Sequence, residues 1–202
     1  MRFLRPASED EVVAAFLRAE ADEVGRYREA ILQRLASEQG ALDTVRRPNL
    51  SDSRQNAYRR RLLEELRGFG RGEGVFVGFP QRVEWQRAAL SRDELLEVRY
   101  IDDDYWVTLS GGSRQPRDAA ARIRAGIGPR WAIEVWDFSG CEAVVRRLLQ
   151  GSLPELILAT TPQPGPLVAI EGNGRLTSFA LFPDRLPEVV EVFCAIAQGL
   201  ER

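Results

Sequence analysis

A mixed α/β fold of the α+β kind, its sheet lying behind a helical N-terminal segment, is predicted by three observations. Residues 9 to 66 repeat apolar side chains at helical spacing, whereas from residue 75 the chain breaks into short Val-, Ile-, Trp- and Phe-rich runs punctuated by Gly and Pro. The last fifty residues then alternate strand, turn, strand, helix and strand patterns. The predicted division is 1–70, a helical extension, and 75–202, an α/β domain.

Ser8 followed by Glu11 is a capping-box pattern, and Val12, Phe16, Leu17, Ala21, Val24, Ile31, Leu32 and Leu35 continue it. The spacing predicts a helix from about residue 9 to 37, broken near Gly25. Gly40 to Asn49, with Pro48, reads as a connection. Ser51 or Asp52 then caps a second helix running through Tyr58, Leu62, Leu63 and Leu66 to Gly68. Its Arg59, Arg60 and Arg61 read as a solvated face with Glu64 and Glu65 as nearby partners. The run GFGRGEGVFVG that follows has neither the spacing nor the preceding strand of a dinucleotide-binding fingerprint and reads as a loop.

Val83–Leu90 is predicted as a strand, Ser91–Leu96 as a short capped helix, and Glu97–Leu109 as strand, acidic bend and strand. Pro116–Ala125 reads as a helix with Pro in its first turn, Trp131–Trp136 as a short strand, and Ser139 as the cap of a helix through Leu149. Strands over Glu155–Thr160 and Leu167–Ile170 flank the turn TPQPGP. A helix over Gly174–Phe182 and a strand over Val189–Ile196 complete the pattern.

The 202 residues include 28 basic and 30 acidic side chains, a formal charge of −2, and no His; every basic residue is Arg. Missing His and Lys removes Ser-His-Asp and Cys-His nucleophile systems, His metal ligands, Schiff-base chemistry and the P-loop Lys. Chemistry is left to Asp, Glu, Arg, hydroxyls, backbone N–H groups or a bound ligand. Codon usage in a GC-rich genome is the simplest cause of an Arg-rich, Lys-free chain. Mild acidity argues against broad nucleic-acid binding. Cys141 and Cys194 fit no zinc or disulfide spacing and read as buried thiols in a reducing cytoplasm. The start MRFLRPASEDEVV fits neither a signal peptide nor an anchor, and no run of about eighteen apolar residues predicts a membrane span. Trp131 and Trp136 are expected to fill a core or an interface, and Cys194 to be a buried strand residue.

The first candidate site is Glu171-Gly172-Asn173-Gly174-Arg175-Leu176-Thr177-Ser178, where an apolar strand hands over to a helix. First-turn N–H groups there form an anion site, the glycines allow close approach, and Arg175 adds a bidentate contact. Glu171 is placed to act as a base, hold a metal ion or grip a ribose. The same residues also make a plain strand-to-helix turn with Asn173 as cap and a surface Glu–Arg pair. The second candidate is Asp102-Asp103-Asp104: if extended, Asp102 and Asp104 share one face about 7 Å apart, enough to hold one Mg²⁺. A solvent-exposed bend is the alternative. The third is the loop Ser110-Gly111-Gly112-Ser113-Arg114, suited to phosphate or carboxylate.

The stretch LPELILATTPQPGPLVAIEGNGRLTSFALFPDRLPEVVEVFCAI resembles the core of the ParB/sulfiredoxin-like superfamily, in which a Gly-x-x-Arg element between the second strand and a helix reads G-E-R-R, D-G-x-H-R or G-G-C-H-R. Gly172 and Arg175 align with its Gly and Arg, in the manner of a bacterial branch carrying E-G-x-x-R-L-T. The resemblance covers roughly residues 97 to 197 and implies that the helix N-terminus and Arg175 bind nucleotide phosphates. Its branches are CTP-dependent DNA clamps, ATP-dependent sulfinic-acid reductases and kinases of small molecules such as free serine. Two departures bear on chemistry: the His that enzyme branches carry before the Arg is Gly174, and the sulfiredoxin Cys is Asn173. The expected function is therefore binding of a nucleotide or phosphorylated small molecule, extending to Mg²⁺-dependent phosphoryl transfer or phosphate hydrolysis. In that reading the SGGSR loop faces the EGNGR turn, Arg175, Arg114 and Thr177 hold phosphate, Asp102 and Asp104 hold Mg²⁺, and Glu171 is the base. The alternative is a non-catalytic interaction module, its N-terminal helices forming a homodimer or partner surface. No helix-turn-helix follows the last strand, against a chromosome-partition role.

Overall fold

The computed structural model describes residues 1–22, 25, 27–38, 42–80, 82–163 and 165–200. Val24 in the predicted first helix, Gly40 at the start of the predicted connection and Pro164 within the TPQPGP turn lie outside the described residues. Among the described residues the fold is mixed α/β, built on one six-stranded mixed sheet.

The chain opens with β1 (Arg2–Pro6), an edge strand the periodicity does not predict because both its faces stay exposed. The Ser8–Glu11 capping box starts α1 (Glu9–Glu20), and the predicted break follows before α2 (Arg28–Ser37). A one-turn helix, α3 (Asp43–Arg46), sits inside the predicted connection, and Asp52 caps α4 (Ser53–Arg67), which ends on left-handed Gly68. Arg59 is not on a solvated face: it is fully buried and donates to Thr44 O, 3.1 Å, and Asn49 O, 3.2 Å, pinning the connection with its guanidinium fork. Arg60 and Arg61 do stay exposed, paired with Glu9 and Glu38 rather than with Glu64 and Glu65.

β2 (Glu84–Ser91) runs into α5 (Arg92–Leu96) through a second capping box, Ser91 with Glu94. β3 (Arg99–Tyr100) is only two residues long. Two predicted strands are helices instead. Asp103 Oδ1 accepts the Tyr105 N–H at 3.0 Å and caps α6 (Asp104–Ser110), so the β-branched and aromatic composition of YWVT is overridden by a cap and by packing. Residues 130–133 form α8 (Arg130–Ile133) after Pro129. Between them α7 (Pro116–Ala125) has Pro in its first turn as predicted. α9 (Phe138–Leu149) is capped by Asp137 rather than Ser139. β4 (Leu156–Thr160), β5 (Val168–Glu171), α10 (Asn173–Leu181) and β6 (Val189–Ile196) follow.

The strand order is β1-β2-β6-β4-β5-β3. β4 pairs parallel to β6 and antiparallel to β5, and β3 adds parallel to β5. Alternation along the central strands builds two cores. Leu156, Leu158, Val192 and Cys194 face a layer of α5, α7, α9 and α10, whereas Ile157, Ala159, Phe193 and Ala195 face Phe16, Leu17, Ile31, Leu62 and Leu63 of α1, α2 and α4. The segment 1–70 is thus one face of the same sandwich, and its β1 pairs with β2. The apolar stripe predicted as a partner surface is covered by the sheet. Among the described residues no helix is long and apolar enough to cross a membrane.

Candidate functional site

α10 begins where β5 ends, and the backbone turns there through Gly172 at φ 108°. A Cβ on Gly172 would stand 2.2 Å from Leu156 Cδ2, so both the conformation and the space require glycine. No side chain caps the helix. Intrahelical bonding begins with Leu176 N–H to Gly172 O, 2.9 Å, leaving the N–H groups of Asn173, Gly174 and Arg175 as the free donors of the first turn. A Cβ on Gly174 would meet nothing nearer than the Trp136 ring, at 4.0 Å.

These residues floor a cleft of about 1110 Å³ between the two helical layers. One wall carries Glu20 from the end of α1, Tyr27, and Arg67 from the end of α4. The other carries Asp102, Asp103, Tyr105, Trp106, Trp136 and Asp137. Trp106 and Trp136 lie 6.3 Å apart between ring centroids, with Tyr105 edge-on to Trp106 at 4.8 Å.

Two ion pairs meet across the floor. Arg175 Nη2 lies 2.7 Å from Glu171 Oε1, while its Nη1 donates to the carbonyls of Pro154 and Glu155. Arg67 Nε lies 3.1 Å from Glu20 Oε1, and the Arg67 guanidinium stacks over the Tyr27 ring at 4.6 Å. Glu20 is 5% exposed. Burial, and then the Glu171 charge, push its carboxyl up to about 7, only partly offset by Arg67. Neither Glu20 nor Arg67 stands out in the sequence. The one available signal is that Glu20 falls on the apolar stripe, four residues after Phe16 and three after Leu17.

Of the predicted site residues, Glu171, Gly172, Asn173, Gly174, Arg175 and Asp102 border the cleft together. Asn173 also ties the turn down: its Oδ1 accepts the Ile101 N–H at 3.1 Å. Thr177 is buried beneath the turn, its hydroxyl 2.7 Å from Tyr100 Oη and donating to Asn173 O at 3.2 Å. Asp104 lies in the first turn of α6 and is not among the cleft residues, so the shared extended face of Asp102 and Asp104 does not form.

Nor do Ser110, Gly111, Gly112, Ser113 and Arg114 border the cleft. Left-handed Gly111 ends α6, Ser110 Oγ donates to Trp106 O at 2.8 Å and accepts the Arg114 N–H at 2.9 Å, and Arg114 Nε donates to Tyr100 O at 2.9 Å. Those groups close a helix, the role their glycine and hydroxyls also suit. Arg114 Nη1 reaches toward Asp102 Oδ2 at 3.7 Å. A second cavity, of about 860 Å³, is lined by Arg99, Arg117 and Arg124 near β3 and contains none of the predicted site residues.

Trp136 is half-buried against the core, but Trp131 is 58% exposed and does not fill it. Cys194 is a buried strand residue as expected, and burial pushes its thiol up to about 12. In comparisons with protein-family models, curated proteins and solved structures, nothing matches the chain.

Proposed function

We propose that this chain binds a nucleotide or phosphorylated small molecule in the cleft, with a phosphate taken by the first-turn N–H groups of α10. The observation that carries this reading is the uncapped Gly172–Gly174 start of α10, open to a cleft of about 1110 Å³ beside the Trp136 ring. Trp106 and Trp136 offer faces on which a base or another flat group stacks.

Phosphoryl transfer or phosphate hydrolysis is the reaction class this arrangement supports. Among the described residues no group of three or more His, Cys, Asp or Glu side chains could by itself hold a metal ion. Magnesium carried by a nucleotide needs only one or two protein carboxylates, because phosphate oxygens and water complete its shell. Asp102 and Asp103 on the cleft wall would supply them. Bound there, the ion would neutralise charge on the transferred group. Glu20 is the group that holds or releases a proton near neutrality, whereas Glu171 is engaged by Arg175.

A thermal-shift panel of nucleoside triphosphates, with and without Mg²⁺, tests the reading. One nucleotide is expected to raise the midpoint by several degrees. A flat panel favours the second reading, a non-catalytic interaction module. That reading is supported by the commitment of Arg175 to Glu171 and to two backbone carbonyls, which leaves its guanidinium spent on the fold.

A further inference from the structure

At and beyond the cleft mouth, between residues 127 and 138, large apolar side chains face solvent. Ile127 is 56% exposed, Trp131 58%, Val135 64% and Phe138 44%. The exposed groups continue the aromatic wall of the cleft, since Tyr105 packs on Trp131 at 5.7 Å and Val135 adjoins Trp136 at the mouth. Large exposed apolar side chains gathered within one short segment mark an interaction surface.

The charge around them is predominantly negative. Asp102, Asp103 and Asp104 are exposed beside Tyr105, and Glu134 and Asp137 flank Val135. Against these five carboxylates stand three guanidiniums: Arg130 Nε lies 2.7 Å from Glu134, Arg114 Nη1 lies 3.7 Å from Asp102, and Arg122, packed against Gly111 and Gly128, donates its Nε to Leu109 O. Two carboxylates remain in excess. Aromatic faces attract cations, and carboxylates at their edges strengthen that attraction. A small cation would cover one ring and leave Val135, Phe138 and Ile127 in water, so the occupant must be extended and carry apolar side chains as well.

We propose that this acidic, aromatic face docks a basic segment of a partner protein in which Arg or Lys alternates with apolar residues. A cationic side chain lies against Trp131 and the Asp102–Asp104 run, and the apolar residues cover Val135 and Phe138. This docking surface shares Asp102 and Asp103 with the cleft wall assigned to Mg²⁺ above, whereas its Trp131, Asp104 and Phe138 lie outside the cleft.

Fluorescence anisotropy of the full chain with a labelled peptide alternating Arg and Leu tests it, against an analogue with Glu in place of Arg. The basic peptide is expected to bind, to weaken about tenfold between roughly 0.05 and 0.3 M salt, and to lose about tenfold in Trp131→Ser. Asp104→Asn should weaken it further in the same direction, and the Glu peptide should not bind. Equal binding of both peptides, or unchanged affinity in Trp131→Ser, would overturn the proposal. So would displacement of the peptide by spermidine at equal concentration, which would assign the face to small cations, or self-association of the chain lost in Trp131→Ser, which would assign it to a second copy. Trp131 and Asp104 lie outside the cleft. Their variants keep any nucleotide-induced thermal shift, so the two readings fail separately.

Discussion

Glu20 brings a carboxylate onto the buried face of α1, and its setting makes it a reporter of pH. The carboxyl titrates near 4.5 when solvated and near 7 when folded, so folding favours its neutral form. The stability this gives is complete below pH 4.5 and is lost as pH rises through about 7. A displacement of this size is worth roughly 3 kcal/mol. Urea unfolding of Glu20→Gln should therefore lose less stability than wild type between about pH 5 and about pH 8, by an amount of that order. Parallel curves would show that Glu20 is ionised throughout. Its paired cation, Arg67, shares the pocket with Tyr27 and Phe16. Long-range pairs of this kind are invisible in sequence because Glu20 and Arg67 belong to separate helices, α1 and α4, brought side by side only by packing on one face of the sheet.

At the scale of elements, the start of α10 combines two separable jobs. Gly172 and Arg175 build the turn, one by its φ of 108° and the other by holding the carbonyls of Pro154 and Glu155 ahead of β4. Gly172→Ala should cost about 2 kcal/mol or more. Arg175→Ala should cost about 2–4 kcal/mol by orphaning Glu171 and two carbonyls. Arg175→Lys should not restore stability, because an ammonium cannot reproduce the guanidinium fork; wild-type urea midpoints for these variants would contradict the structural role. β4, β5, α10 and β6 were legible in the sequence because strand runs, Gly/Pro turns and helical spacing agreed there. α6 and α8 were not, because Tyr105, Trp106, Val107 and Trp131 have strand-like composition while a single Asp cap and a Pro decide the helix start. The Ser110–Arg114 loop misled for a related reason, since the glycine that frees a backbone for phosphate also closes a helix.

For the whole molecule, the sheet is shared by both layers. Ile157, Ala159, Ile170, Phe193 and Ala195 would be exposed if the first seventy residues were removed, and β2 would lose its β1 neighbour. A fragment of residues 75–202 should therefore aggregate or remain unfolded, and the full chain should unfold in one cooperative transition. A soluble fragment with native-like circular dichroism would show instead that the α/β part stands alone. Composition bears on function at this scale too. With His and Lys absent, the charged groups on the cleft floor are Glu20, Glu171, Arg67 and Arg175, which pair with one another, and the first-turn N–H groups of α10 are left without a side-chain cap.

Calorimetric titration of the best nucleotide from the thermal-shift panel, with Mg²⁺, into wild type and Gly174→Glu isolates that backbone. Gly174 has open space around its Cβ, and a carboxylate in the first turn favours the helix, so the variant should fold as well as wild type. Its charge would occupy the place of the phosphate. Binding by wild type and its loss in a stably folded Gly174→Glu is the expected result; nucleotide binding that survives the substitution unchanged, or none in wild type, would contradict a phosphate site at the start of α10.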